Sequence, residues 1–66
     1  MKLKTLLKLI PDGAVVETEF IGSSWLNSEC YAKGTNYSTM LPWYDVKTIQ
    51  AVDNKIKIVA IKPKGE

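Results

Sequence analysis

The sequence predicts an α+β fold: one short N-terminal helix packed on a small antiparallel sheet of about four strands that ends in a C-terminal hairpin. Two patterns carry this reading. Leu3, Leu6, Leu7 and Ile10 fall at i, i+3, i+4 and i+7, which is one face of an α-helix. Near the other end, two alternating runs rich in Ile and Val flank Asp53-Asn54, a two-residue hairpin signal. A third observation bounds the size. At 66 residues folding buries only roughly 60% of the surface that the unfolded chain exposes, so residues 1–66 are expected to form a single domain.

The helix is expected at about 3–10, with Lys2, Lys4, Thr5 and Lys8 on its wet side and Pro11-Asp12-Gly13 as its stop and turn. So short a helix is not stable alone and must dock its leucines on an apolar surface. Residues 14–21 read as the first strand, with Val16, Thr18 and Phe20 on one face and Val15, Glu17, Glu19 and Ile21 on the other. After the Gly22-Ser23-Ser24 break, residues 25–33 alternate again. Leu26, Ser28, Cys30 and Ala32 form the small set expected to face the core. Trp25, Asn27, Glu29, Tyr31 and Lys33 then face away.

Residues 34–44 have no clean period, and Pro42 argues against a central strand there. This is an irregular segment, and a connection so long in so small a domain is often functional. Residues 45–52 and 55–61 complete the hairpin. Its turn sets Ala51 against Ile56, Ile49 against Ile58 and Val46 against Ile61, so its base is expected to be buried on both sides. Residues 62–66 read as a tail.

Composition removes several chemistries. There is no His, and Cys30 is the only cysteine. Disulfides within the chain are therefore excluded, the usual histidine-dependent machinery has no base, and structural zinc, which prefers four Cys or His ligands, is hard to build from one Cys. No Gly-rich phosphate loop or dinucleotide fingerprint occurs. Glu17, Glu19 and Glu29 could face one another across the first two strands, but strand glutamates on a wet face are the simpler account. Cys30 is expected to be a buried, inert thiol in the small register. The sequence thus predicts a protein that is not an enzyme, with no cofactor and no metal. Small domains often lean on disulfides, metals or a partner subunit; with the first two absent, a homodimer is the remaining support.

All nine basic residues are lysines, scattered among acids rather than gathered in a stripe. Arginine's bidentate fork is missing, which disfavours nucleic acid as the partner. The apolar stretch at the N-terminus is interrupted by Lys8 and lacks a small-residue cleavage site, and no segment reaches membrane-spanning length. A cytoplasmic protein with no membrane association is expected.

The aromatic residues are the candidate contact residues. Two Trp and three Tyr are many large amphipathic rings for a chain of this length, and such rings are enriched at binding hot spots. Either they fill the core, with Leu41 and Trp43 plugging the open end of the sheet and Tyr44 over the hairpin base, or they form an exposed patch. The candidate site is Trp25, Tyr31, Lys33, Asn36, Tyr37, Trp43 and Tyr44.

Four stretches carry a family resemblance. They are Leu7-Lys-Leu-Ile-Pro-Asp-Gly13, the strand start Ala14-Val-Val16, Lys33-Gly34 after the second strand, and Val46-Lys-Thr-Ile49 leading into the closing hairpin. Together they resemble small early-region and accessory proteins of phages and prophages of Gram-positive bacteria. The resemblance implies a non-enzymatic protein of a host bacterium's cytoplasm, including host-defence inhibitors that bind a host protein or sequester a small signalling nucleotide. It assigns no functional residue. The alternatives are a nucleic-acid binder using Lys33, Lys47, Lys55 and Lys57 with the same rings, and a structural homo-oligomeric subunit.

Overall fold

A computed structural model of the chain describes residues 1–34 and 39–64. Helix α1 spans Leu3–Leu9, followed by strands β1 (Val15–Ile21), β2 (Ser28–Ala32), β3 (Asp45–Val52) and β4 (Lys55–Ile61). These elements give the α+β fold that the leucine spacing and the hairpin signal predict. The strands form one sheet in the order β2-β1-β4-β3. Both outer pairs are antiparallel, but the central β1–β4 pair is parallel, so the sheet is mixed rather than wholly antiparallel. Alternation in a sequence fixes which face a side chain takes; it carries no information on the direction of the neighbouring strand.

The parallel pairing builds the core. It sets Val16 against Ile56, Thr18 against Ile58 and Phe20 against Ala60 on one face. Leu3, Leu6, Leu7 and Ile10 of the helical segment cover this face, with Leu41 and Tyr44 completing the buried cluster. The helix has no side-chain N-cap. Its exposed amide problem is solved from outside: the Leu3 N–H donates to the Tyr44 carbonyl at 2.8 Å and the Lys4 N–H to the Pro42 carbonyl at 3.0 Å. At the other end Ile10 N–H bonds back to Leu7, and Pro11 stops the helix.

The second strand is shorter than expected and in the opposite register. Val16 pairs with Tyr31, Thr18 with Glu29, and Glu17 with Cys30. Glu29 and Tyr31 therefore lie on the helix side, Glu29 buried and Tyr31 packed against the core, while Ser28, Cys30 and Ala32 take the open face. The reason is local. Leu26 packs against the core from the turn that precedes β2, not from the strand itself, so counting by twos from Leu26 selects the wrong face. Two corrections follow: Cys30 is an exposed thiol, and Glu29 faces away from Glu17 and Glu19, so no three-carboxylate cluster forms.

The hairpin matches its expected register from Val52–Lys55 to Thr48–Val59. Asp53 and Asn54 have φ of 50° and 65°, the paired left-handed conformation of a type I′ turn. Beyond Thr48 the register shifts, and Val46 faces Ala60 rather than Ile61. This bulge at Lys47 rotates Val46 onto the core side. It also leaves the hairpin base buried on one side only, with Ile61 exposed.

Thr18 lies at the centre of the core face, fully buried, and its Oγ1 makes no hydrogen bond. A buried unpaired hydroxyl costs about 1 kcal/mol or more. Replacing it with the near-isosteric valine removes that cost, so Thr18→Val is expected to raise stability by about 1 kcal/mol, roughly 4–8 °C in Tm. Thermal and urea denaturation check this; a lower midpoint in the variant contradicts it.

Candidate functional site

At the end of the sheet where β1 and β4 both finish, a cleft of about 230 Å³ opens between two tryptophans. Its floor is Leu41 and Tyr44, and Gly22, Ser23, Ser24 and Lys62 form the remaining wall. Trp25 is 61% exposed and Trp43 44%. Large rings left this open are not required by the core, which is already filled beneath them.

The local chemistry explains how each ring is held. β1 ends at Ile21, whose carbonyl accepts the Lys62 N–H at 2.9 Å, so the parallel pair runs on past the strand ends. Gly22 then turns with φ of 93°, and a Cβ there would stand 2.9 Å from Lys62 Cβ. Only glycine combines that conformation with that approach. The Ser23 hydroxyl accepts from the Leu26 N–H at 3.0 Å and the Trp25 N–H at 3.4 Å, fixing the turn that presents Trp25. On the facing side, Trp43 meets Tyr44 edge-on at 6.2 Å, and Tyr44 meets Phe20 edge-on at 5.6 Å. A chain of rings thus joins the core to the cleft rim.

The structure brings together only part of the candidate set. Trp25 and Trp43 share the cleft. Tyr44 lies beneath it, 3% exposed, as core rather than contact surface. Tyr31 is half-buried beside Glu29 on the helix side; burial first, and the neighbouring Glu29 charge second, raise its hydroxyl pKa above 10.0. Lys33 sits elsewhere, ion-paired to Asp12 at 3.4 Å. Asn36 and Tyr37 lie outside the described residues. Ser23, Ser24 and Lys62 belong to the cleft and were not among the candidates. Their proximity depends on the parallel β1–β4 pairing, which alternation alone does not reveal.

The open face of the sheet is a second, polar surface. Glu17 lies between Lys55 at 3.2 Å and Lys57 at 3.5 Å. A hollow of about 270 Å³ beside them is lined by Glu17, Glu19, Ser28, Thr48, Gln50, Lys57, Ile58 and Val59. Hydrogen bonding and charge from Lys55 hold the Glu17 carboxyl below its ordinary value of 4.5, and Glu17 in turn raises Lys55 above 10.5. Three of the four lysines that a nucleic-acid interface would use, Lys33, Lys55 and Lys57, are therefore engaged in ion pairs. Among the described residues, no three His, Cys, Asp or Glu side chains gather at metal-ligand spacing, and no helix is long and apolar enough to cross a membrane.

No protein-family model matches the chain, and neither a curated protein nor a solved structure matches it.

The Glu17 pairing has a pH signature. A carboxyl whose folded-state pKa is depressed contributes stability fully above its unfolded value and loses it as pH falls through the folded one. The stability difference between the wild type and Glu17→Gln is therefore expected to be constant from neutral pH down to about one unit above the unfolded carboxyl value and to shrink as pH falls further. Urea midpoints across that range measure it; a difference that grows on acidification contradicts the pairing.

Proposed function

We propose that this chain is a non-enzymatic binding protein that seats a side chain of a partner protein between Trp25 and Trp43. The observation that supports the reading is the pairing of two exposed tryptophans on one cleft, anchored to the core through Tyr44 and Phe20. Tryptophan dominates binding hot spots because a rigid ring buries a large area at small entropic cost.

Size favours protein over nucleotide. Pockets that enclose drug-sized ligands span about 300–1,000 Å³, and this cleft falls below that range. It suits one projecting side chain, with affinity completed by the surface around it. The mechanism is steric occupation: a sheet-mounted pair of rings grips the partner and blocks whatever that surface otherwise meets. Its resemblance to small phage and prophage accessory proteins, through Leu7–Gly13, Ala14–Val16, Lys33-Gly34 and Val46–Ile49, makes a host-bacterium protein, including a defence component, the proposed target.

The test is comparative capture. Immobilised wild type and Trp25→Ala/Trp43→Ala are exposed to the same bacterial lysate, and the bound species are then measured by titration. Each truncation is expected to weaken binding by about 2 kcal/mol, roughly thirtyfold, with the urea midpoint unchanged. A partner bound equally by both proteins refutes the site. Binding that instead falls steeply with salt and needs RNA or DNA replaces it with the nucleic-acid reading.

A further inference from the structure

β3 is an edge strand of eight residues, and its two halves differ. At its start the edge is covered: the Val46 N–H donates to the Met1 carbonyl at 2.8 Å, and Lys2 bridges Asp45. From Lys47 onward, no backbone hydrogen bond among the described residues reaches the outer side. Lys47, Thr48, Ile49, Gln50 and Ala51 are all exposed, Ile49 by 54%. A long, exposed edge carrying an isoleucine is a template for another strand.

The turn fixes which backbone groups are available. In a two-residue type I′ hairpin the closing pair, here Val52 and Lys55, is hydrogen-bonded, and such pairs alternate along the ladder. Gln50 therefore turns its backbone groups toward Lys57, while Ile49 and Ala51 present theirs outward.

We propose that a second copy of this chain pairs antiparallel with this edge about a twofold axis at Gln50, joining two four-stranded sheets into one. Residues opposite one another must share a face, so the axis passes through a residue and the choices are few. An axis at Gln50 sets Ile49 against the partner's Ala51, the two residues with outward backbone groups. It also sets Thr48 against the partner's Val52, and beyond that last ladder pair it brings Lys47, at the bulge, toward the partner's Asp53 in the turn, so opposite charges approach at both ends of the seam. The paired stretch, 48–52, is the regular part of β3 that Met1 and Lys2 leave free. An axis at Ile49 would pair Val52 with the partner's Val46, whose N–H is already taken by the Met1 carbonyl. An axis at Ala51 would leave only residues 50–52 paired before Ile49 runs onto the partner's turn. A blocked amide in the first and a shortened ladder in the second disfavour both. Because the strands run oppositely, the two tryptophan clefts lie at opposite ends of the joined sheet.

The register is read by cross-linking in a Cys30→Ser background. At the axis Gln50 forms a non-hydrogen-bonded pair with itself, Cα atoms about 4.5 Å apart, within disulfide reach. Gln50→Cys is expected to give a disulfide dimer on mild oxidation. Thr48→Cys alone is expected to give none, and Thr48→Cys with Val52→Cys to give one. Sedimentation of the unaltered chain is expected to show the mass doubling as concentration rises. Ile49→Lys, an exposed change that leaves the fold intact by circular dichroism, is expected to hold it at the monomer mass. A monomer at every concentration overturns the proposal, as does Thr48→Cys cross-linking as readily as Gln50→Cys. A dimer that survives Ile49→Lys and is lost in Trp25→Ala/Trp43→Ala also overturns it, by moving the seam to the cleft.

Discussion

The two hydrogen bonds from the first turn of α1 to the Pro42 and Tyr44 carbonyls hold the arrangement together. A helix of seven residues cannot persist in water on its own propensity, so two things must fix it. One is burial of Leu3, Leu6 and Leu7 against the sheet. The other is satisfaction of the amides that a helix start leaves unpaired. A capping side chain could have served, but position 2 is lysine and makes no such bond. The 41–44 turn supplies carbonyls instead, and in doing so it is pinned against the helix. Leu41 and Tyr44 then face inward, and Trp43 between them faces out.

That pinning connects stability to the site. Tyr44 is both a wall of the core and the floor of the cleft, and its edge contacts with Phe20 and Trp43 place the outer ring without burying it. The parallel β1–β4 pair supplies the opposite wall, because both strands end together and bring Gly22–Trp25 beside Lys62. A wholly antiparallel sheet would separate these segments. The cleft is therefore a consequence of strand direction, and its rings are side chains that the folded core leaves exposed.

Much of this was legible in the sequence, for a physical reason in each case. The helix follows from four apolar positions at helical spacing and a proline stop. The hairpin follows from Asp53-Asn54, whose side chains tolerate positive φ. These are local signals, and the structure keeps them. The register of β2 was not legible, because Leu26 belongs to the preceding turn and an offset of one residue exchanges Tyr31 and Glu29 for Cys30 and Ser28. The bulge at Lys47 was equally hidden; it exists to turn Val46 inward, a demand set by tertiary packing. Of the candidate rings, Trp25 and Trp43 line one cleft, whereas Tyr31 and Tyr44 are drawn into the interior. Lys62, Ser23 and Ser24 carry no local mark of their role, since only the parallel pairing brings them to the cleft.

Native-state hydrogen exchange at the Leu3 and Lys4 amides tests this account most directly. The first amides of a helix ordinarily exchange rapidly for want of acceptors. Bonded to the Tyr44 and Pro42 carbonyls, these two are predicted to exchange as slowly as the amides of β1 and β4, opening only when the domain unfolds. Exchange at the rate of an unstructured peptide would contradict the account, because the helix would then be unattached to the turn that carries Trp43.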